Sequence, residues 1–212
     1  MYKKMIITVF ILLGLLLISS PYIKGGIIAY LSKSQSESAL TVEQLKKNNE
    51  REAEFEFDSI EPPELMDAIK AGFEHDQKAV IGRITIKSVD LELPIVKGTT
   101  NENLLIGAAT MRPDQKMGEG NYPLAGHHLK QKSLLFGPLE NVKTGAQIVI
   151  TDFKKDYIYS VTSKNIISEM DAEVIEETNK KEITLITCDK AVKTEGRLVV
   201  KGELVDSFGH TN

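Results

Sequence analysis

Four side chains in this sequence could do chemistry together: one thiol, two adjacent imidazoles and one guanidinium. Cys188 is the only cysteine, and it closes the run Thr184-Leu185-Ile186-Thr187-Cys188. Arg197 stands just beyond the loop that follows, and His127 and His128 lie upstream in Asn121-Tyr122-Pro123-Leu124-Ala125-Gly126-His127-His128. A thiol becomes a nucleophile as its thiolate, which a nearby cation or a hydrogen-bonding network favours. An imidazole can carry the proton. A guanidinium supplies permanent charge and fixed donors to an oxyanion. Brought together, the three groups would perform acyl transfer through a thioacyl-enzyme. Each alone has a plainer explanation. A lone cysteine is commonly a small buried hydrophobe, and an arginine at a strand end is commonly solvated. Adjacent strand residues face opposite sides, so only one of the two histidines can easily approach Cys188, and the other is structural. His75 and His210 sit in the arm and the tail and read as solvated. Adjacent histidines do not readily converge on one ion, and no cysteine or carboxylate cluster stands beside them at zinc spacing. No metal and no cofactor is expected.

The elements that must position these groups are mostly short strands. Alternation puts Thr184, Ile186 and Cys188 on one face and Leu185 and Thr187 on the other. From Val80 onward, VIGRITI, LELPIV, NYPLA, AQIVITDF, YIYSVTSKNII, EITLITC and RLVVKGELV read as strands. A hairpin is expected around Lys154–Asp156. Brief helices fall at NENLLIGAA, at SLLFGPLENV and at DAEVIEET, with Asp171 as N-cap of the last. About eight strands with no βαβ rhythm fit a closed barrel, which removes exposed edges.

The chain outside this region is different in texture. Met5 to Ile23 carries no charge, with Lys3 and Lys4 before it and Lys24 after it. That length approaches a bilayer span, and no clear cleavage site follows. An uncleaved signal-anchor with a cytoplasmic N-terminus is therefore expected over residues 1–31. Residues 32–78 read as a polar stalk or arm, with a weak helix near Val42–Arg51, extended Phe55 and Phe57, and a short helix after Pro62-Pro63 carrying Leu65, Met66 and Ile69. Those apolar residues fit an arm that docks on the domain and restricts access to it, and they fit a partly disordered spacer equally well. The barrel is expected over 79–206 and a tail over 207–212. The net charge of −4 and the lack of a basic block exclude a nucleic-acid partner in this reading.

Taken in order, the motifs resemble those of sortases, the cysteine transpeptidases of Gram-positive cell surfaces. The resemblance covers about Val80 to Val205 and rests on LPIV, GAATM, GNYPLAGHH, LLFGPL, TLITCD and RLVVKGEL. The apolar N-terminus, the polar stalk and the lack of a C-terminal hydrophobic tail resemble class A, the housekeeping type. The resemblance implies a mainly β fold, a closed eight-stranded barrel with short helices preceded by a transmembrane helix and polar arm. It implies Cys188 as nucleophile, His127 as general acid/base and Arg197 as stabiliser of the tetrahedral intermediate. Ala125, Ile186 and Thr187 match positions that line the sorting-signal groove. His128 has no counterpart in the minimal motif. The implied substrates are secreted proteins with a C-terminal LPxTG-type signal, cut between Thr and Gly. The implied acceptor is an amine of a peptidoglycan precursor such as lipid II. The enzyme would sit in the cell membrane as a single-pass protein with its catalytic domain outside. Some class A sortases are activated by calcium through acidic residues before the histidine strand. Here Glu102, Asp114 and Glu119 are interspersed with Arg112 and Lys116, and no calcium dependence is expected. Two other readings stay open: a cysteine peptidase that only hydrolyses, and a non-enzymatic, membrane-tethered β-barrel binding module.

Overall fold

The computed structural model describes residues 2–36, 40–56, 62–74 and 80–211; Phe57 and His75 lie outside them. Among the described residues, eight strands close into a barrel in the order β1-β2-β3-β4-β7-β8-β6-β5. They are β1 (Val80–Ile86), β2 (Leu91–Val96), β3 (Ala108–Thr110), β4 (Asn121–Ala125), β5 (Gln147–Thr151), β6 (Lys155–Ser168), β7 (Glu182–Cys188) and β8 (Gly196–Gly209). Most neighbours are antiparallel, but β2–β3 and β4–β7 are parallel. Parallel neighbours cannot be joined by a tight turn. The first pair is linked through a short helix, α4 (Asn101–Ile106), started by Thr100, whose side chain accepts from Asn103 N. The second pair is linked by the whole β5–β6 excursion.

Alternation sorts the strand residues into two apolar layers. Ile84, Ile86, Ile95, Leu124, Leu185 and Val200 fill the interior with Tyr122, Phe136 and Tyr159. The other face carries a row in which each residue pairs with the next: Val80 with Val96, Val96 with Ala109, Ala109 with Ala125, Ala125 with Ile186, and Ile186 with Val199. All six belong to a second buried cluster outside the barrel.

The N-terminal elements pack on this barrel. Helix α1 (Tyr2–Ser36) contains Pro21 and is bent by 41° between Tyr2–Leu15 and Leu17–Ser36. Proline cannot donate to the carbonyl four residues before it, and its ring crowds that carbonyl; for Pro21 that residue is Leu17, at the break. Among the described residues no single helix is long and apolar enough to cross a membrane, but the two bent parts together meet that measure. Ile6, Val9, Phe10 and Leu13 are exposed, whereas Ile28 and Leu31 are buried in the barrel's main cluster. They are joined there by Ala68 and Ala71 of α3 (Leu65–Glu74). Helix α2 (Val42–Asn49) has a capping box between Thr41 and Gln44. It buries Leu45 in the outer cluster, and its Asn48 Nδ2 donates to Val80 O at 2.8 Å.

Several local expectations change. The expected anchor boundary at residue 31 falls inside α1. The β5–β6 turn sits at Asp152–Lys154, earlier than expected, because the Asp152 carboxylate accepts from Lys154 N and Lys155 N and allows Phe153 a left-handed φ of 61°. The segment Ala172–Ile175 is a 3₁₀ turn, and Asp171 does not cap it; its carboxylate accepts from Ser168 N instead. The strand β8 continues through the expected tail to Gly209. His210 is not freely solvated: its Nδ1 lies 2.8 Å from Asp156 Oδ1, and its ring meets Phe153 edge-on.

Leu45 is 2 % exposed. Leu45→Ala should therefore cost about 2–5 kcal/mol in denaturant unfolding of the full chain, whereas a detached stalk would give no change.

Candidate active site

Strand β7 delivers Cys188 at its last position, and β8 delivers Arg197 directly opposite it in register. Both point outward by alternation, as Ile186 and Val199 do one outward pair earlier. Thr187 does not share that face. It is 3 % exposed, and its buried Oγ1 has no hydrogen-bond partner among the described residues. Of the three expected groove positions, Ala125 and Ile186 are therefore side by side on the outer face, and Thr187 is turned inward by the two-residue repeat of the strand.

The loop between β7 and β8 is held shut beneath these groups. Thr194 Oγ1 donates to Asp189 Oδ1 at 2.8 Å, and Asp189 N donates to Gly196 O at 3.1 Å. A Cβ on Gly196 would lie 2.6 Å from the Asp189 carboxyl carbon, so the position has no room for a side chain. Arg197 Nη1 donates to Thr194 O at 2.7 Å and to Gly196 O at 3.1 Å, while Nη2 donates to Glu169 Oε2 at 2.6 Å. The guanidinium is thus anchored on one side and paired with an exchangeable carboxylate on the other. Burial pushes the Cys188 thiol above its usual range; Arg197 pulls it back down, and Asp189 and Glu169 push it up.

His127 follows the end of β4. The ladder continues one step past the strand, with Gly126 N donating to Ile186 O at 3.1 Å, and Phe136 N donates to His127 O at 3.1 Å. A Cβ on Gly126 would lie 2.6 Å from the Phe136 ring, which explains the glycine before the histidine. The His127 side chain is pushed down to about 4, first by burial and then by the charge of Lys24 on α1, with Asp67 on α3 opposing. The N-terminal helices therefore reach the histidine electrostatically. Burial favours the neutral form of both the thiol and the imidazole. His128 meets the cysteine through the backbone: its Nδ1 lies 2.9 Å from Cys188 O.

Two residues that the sequence did not single out for this role hold the turn that packs against the outer row. Asn121 Nδ2 donates to Val174 O and Glu176 O at 3.0 and 2.9 Å, while its Oδ1 accepts from Thr184 Oγ1 at 2.7 Å. Arg112 donates to Ile175 O and to the carboxylates of Glu177 and Asp114. The carbonyls of 174, 175 and 176 are thereby held in succession, and Val174 and Ile175 pack against the outer row containing Ala125, Ile186 and Val199. The only sequence signal was a cation interrupting a run of acids. That cation pairs with Asp114 and Glu177, and among the described residues no group of three or more His, Cys, Asp or Glu could hold a metal.

Comparison with known proteins agrees with this architecture. The profile of the sortase domain family matches residues 84–205. Sortase A of Listeria monocytogenes serovar 1/2a is 47% identical over 204 residues, which span 96% of this chain and 92% of that protein. The putative sortase YwpE of Bacillus subtilis strain 168 is 94% identical over 102 residues, 48% of this chain and the whole of that protein. A crystal structure of Listeria monocytogenes sortase A superposes with a TM-score of 0.62 at 50% identity, covering 63% of this chain and 92% of that one.

The charges around the thiol predict opposite shifts. Arg197→Met should move the pH midpoint of Cys188 alkylation upward, and Glu169→Gln should move it downward, read as iodoacetamide rate against pH.

Proposed function

We propose, for a chain that belongs to the sortase family and is a cysteine transpeptidase, that it cuts LPxTG-type sorting signals between Thr and Gly and passes the acyl group to an amine of a peptidoglycan precursor. The observation that carries this reading is the juxtaposition of three positions. Cys188 and Arg197 are register partners on the outer face, and His127 emerges where the parallel neighbour of the cysteine strand ends. The apolar row beside them is buried, with Val174 and Ile175 packed against it, and the Leu-Pro part of such a signal would displace that cover.

The chemistry starts from neutral groups. As Cys188 Sγ attacks the threonine carbonyl, its proton passes to His127, and the resulting oxyanion is met by Arg197, which exchanges its Glu169 contact for the substrate. The imidazolium then protonates the glycine amine as the C–N bond breaks, leaving a thioacyl-enzyme. An acceptor amine attacks that thioester and gives its proton to His127. The C–S bond breaks, and the thiolate is reprotonated. Fixed donors in a site that excludes water lower the barrier at both tetrahedral stages. The exposed apolar half of α1 would anchor the protein in the membrane, with Lys3 and Lys4 on the cytoplasmic side and the catalytic domain outside.

The test is a transpeptidation assay of the full chain in detergent micelles, with an LPxTG-type peptide and a glycine- or diaminopimelate-type amine. The wild type should form the ligated product, and Cys188→Ala should form none and retain its fold. Arg197→Ala should lower kcat by about 100- to 1,000-fold. An active C188A variant, or a wild type that only hydrolyses, overturns the reading. Arg112→Met should loosen the turn that packs against the outer row and raise KM roughly tenfold with a smaller change in kcat.

A further inference from the structure

We infer that His128 is a positioning residue that ends the β4–β7 ladder with its side chain and so fixes both the nucleophile and the catalytic histidine. The inference rests on the transpeptidase reading for its kinetic consequence, but its geometry is independent of any substrate.

In a parallel ladder one strand donates and accepts at alternate residues. Gly126 N donates to Ile186 O, so the next rung in that pattern would run from His128 N to Cys188 O. The structure fills that acceptor with the imidazole instead: His128 Nδ1 lies 2.9 Å from Cys188 O. A carbonyl can only accept, so Nδ1 carries the hydrogen of this bond. Replacing a backbone rung by a longer side chain lets the chain leave the sheet at His127 while the strand ends stay tied. The ring itself is held, since His128 is 8 % exposed and forms an isolated bridge with Leu135. Leu135 has a left-handed φ of 49°, and the next residue, Phe136, binds His127 O through its N–H. One short loop thus grips both histidines, and one of them grips the cysteine. His128 contacts Cys188 by its carbonyl rather than its sulfur, so its role is positioning.

The test compares His128→Asn, whose Nδ2–H falls close to the position of Nδ1–H, with His128→Leu, which has similar bulk and no donor. Peptide turnover and backbone hydrogen exchange at Cys188 and Asp189 are both measured. H128L should lower kcat on the order of 100-fold at nearly unchanged KM and raise exchange at least about tenfold by opening the strand end. H128N should stay close to wild type in both. Equal behaviour of the two variants, or wild-type exchange in H128L, overturns the inference. If H128L does not fold, H128N decides alone: wild-type kcat supports the donor role, and a loss of more than about tenfold in a folded H128N overturns it. A wild type that never acts on the peptide refutes the functional reading instead, and hydrogen exchange still decides the role of His128.

Discussion

The parallel pairing of β4 with β7 is the constraint on which the site depends. Ala125 stands against Ile186, and the two strands end together, one in the histidines and the other in the cysteine. A hairpin cannot make this pair. It needs the β5–β6 excursion between them to bring β7 back beside β4. The meeting of the reactive groups is therefore a property of the closed barrel and not of any local segment. Antiparallel β8 then adds Arg197 opposite Cys188, so every charge and proton carrier arrives by register.

That register places ionisable groups where water is scarce, and burial favours the neutral form of both the thiol and the imidazole. The two nearby cations act differently. Arg197 favours the thiolate, whereas Lys24 disfavours the imidazolium. Glu169 has a double part in this, because it neutralises Arg197 and also raises the thiol.

The same economy governs the cover of the outer row. Val174 and Ile175, which pack against it, belong to a short 3₁₀ turn with little internal hydrogen bonding. Asn121 and Arg112 compensate by binding three successive carbonyls of that turn. The N-terminal arm is also held by few residues. Of the N-terminal segments, Ile28, Leu31, Leu45, Ala68 and Ala71 enter the buried clusters, with Ile27 and Leu40 packed against them.

Strand identity was legible because alternation has a period of two and the runs are rich in β-branched residues; β1 and β2 begin and end where their text does. Cys188 and Arg197 were legible as a pair from motif order, and so was the inward turn of Thr187 from alternation alone. The docking of the arm was only hinted at, because a handful of apolar residues in polar text fit a spacer or a docked helix equally well. Strand type, the position of each apolar run and the order of the reactive residues were thus determined by the sequence, since each follows from neighbours along the chain. The outer apolar row, the clamp of Asn121 and Arg112, the Asp156–His210 pair and the side-chain rung from His128 were decided only by the tertiary structure. All of them join residues far apart in the chain, whose meeting depends on how the barrel closes.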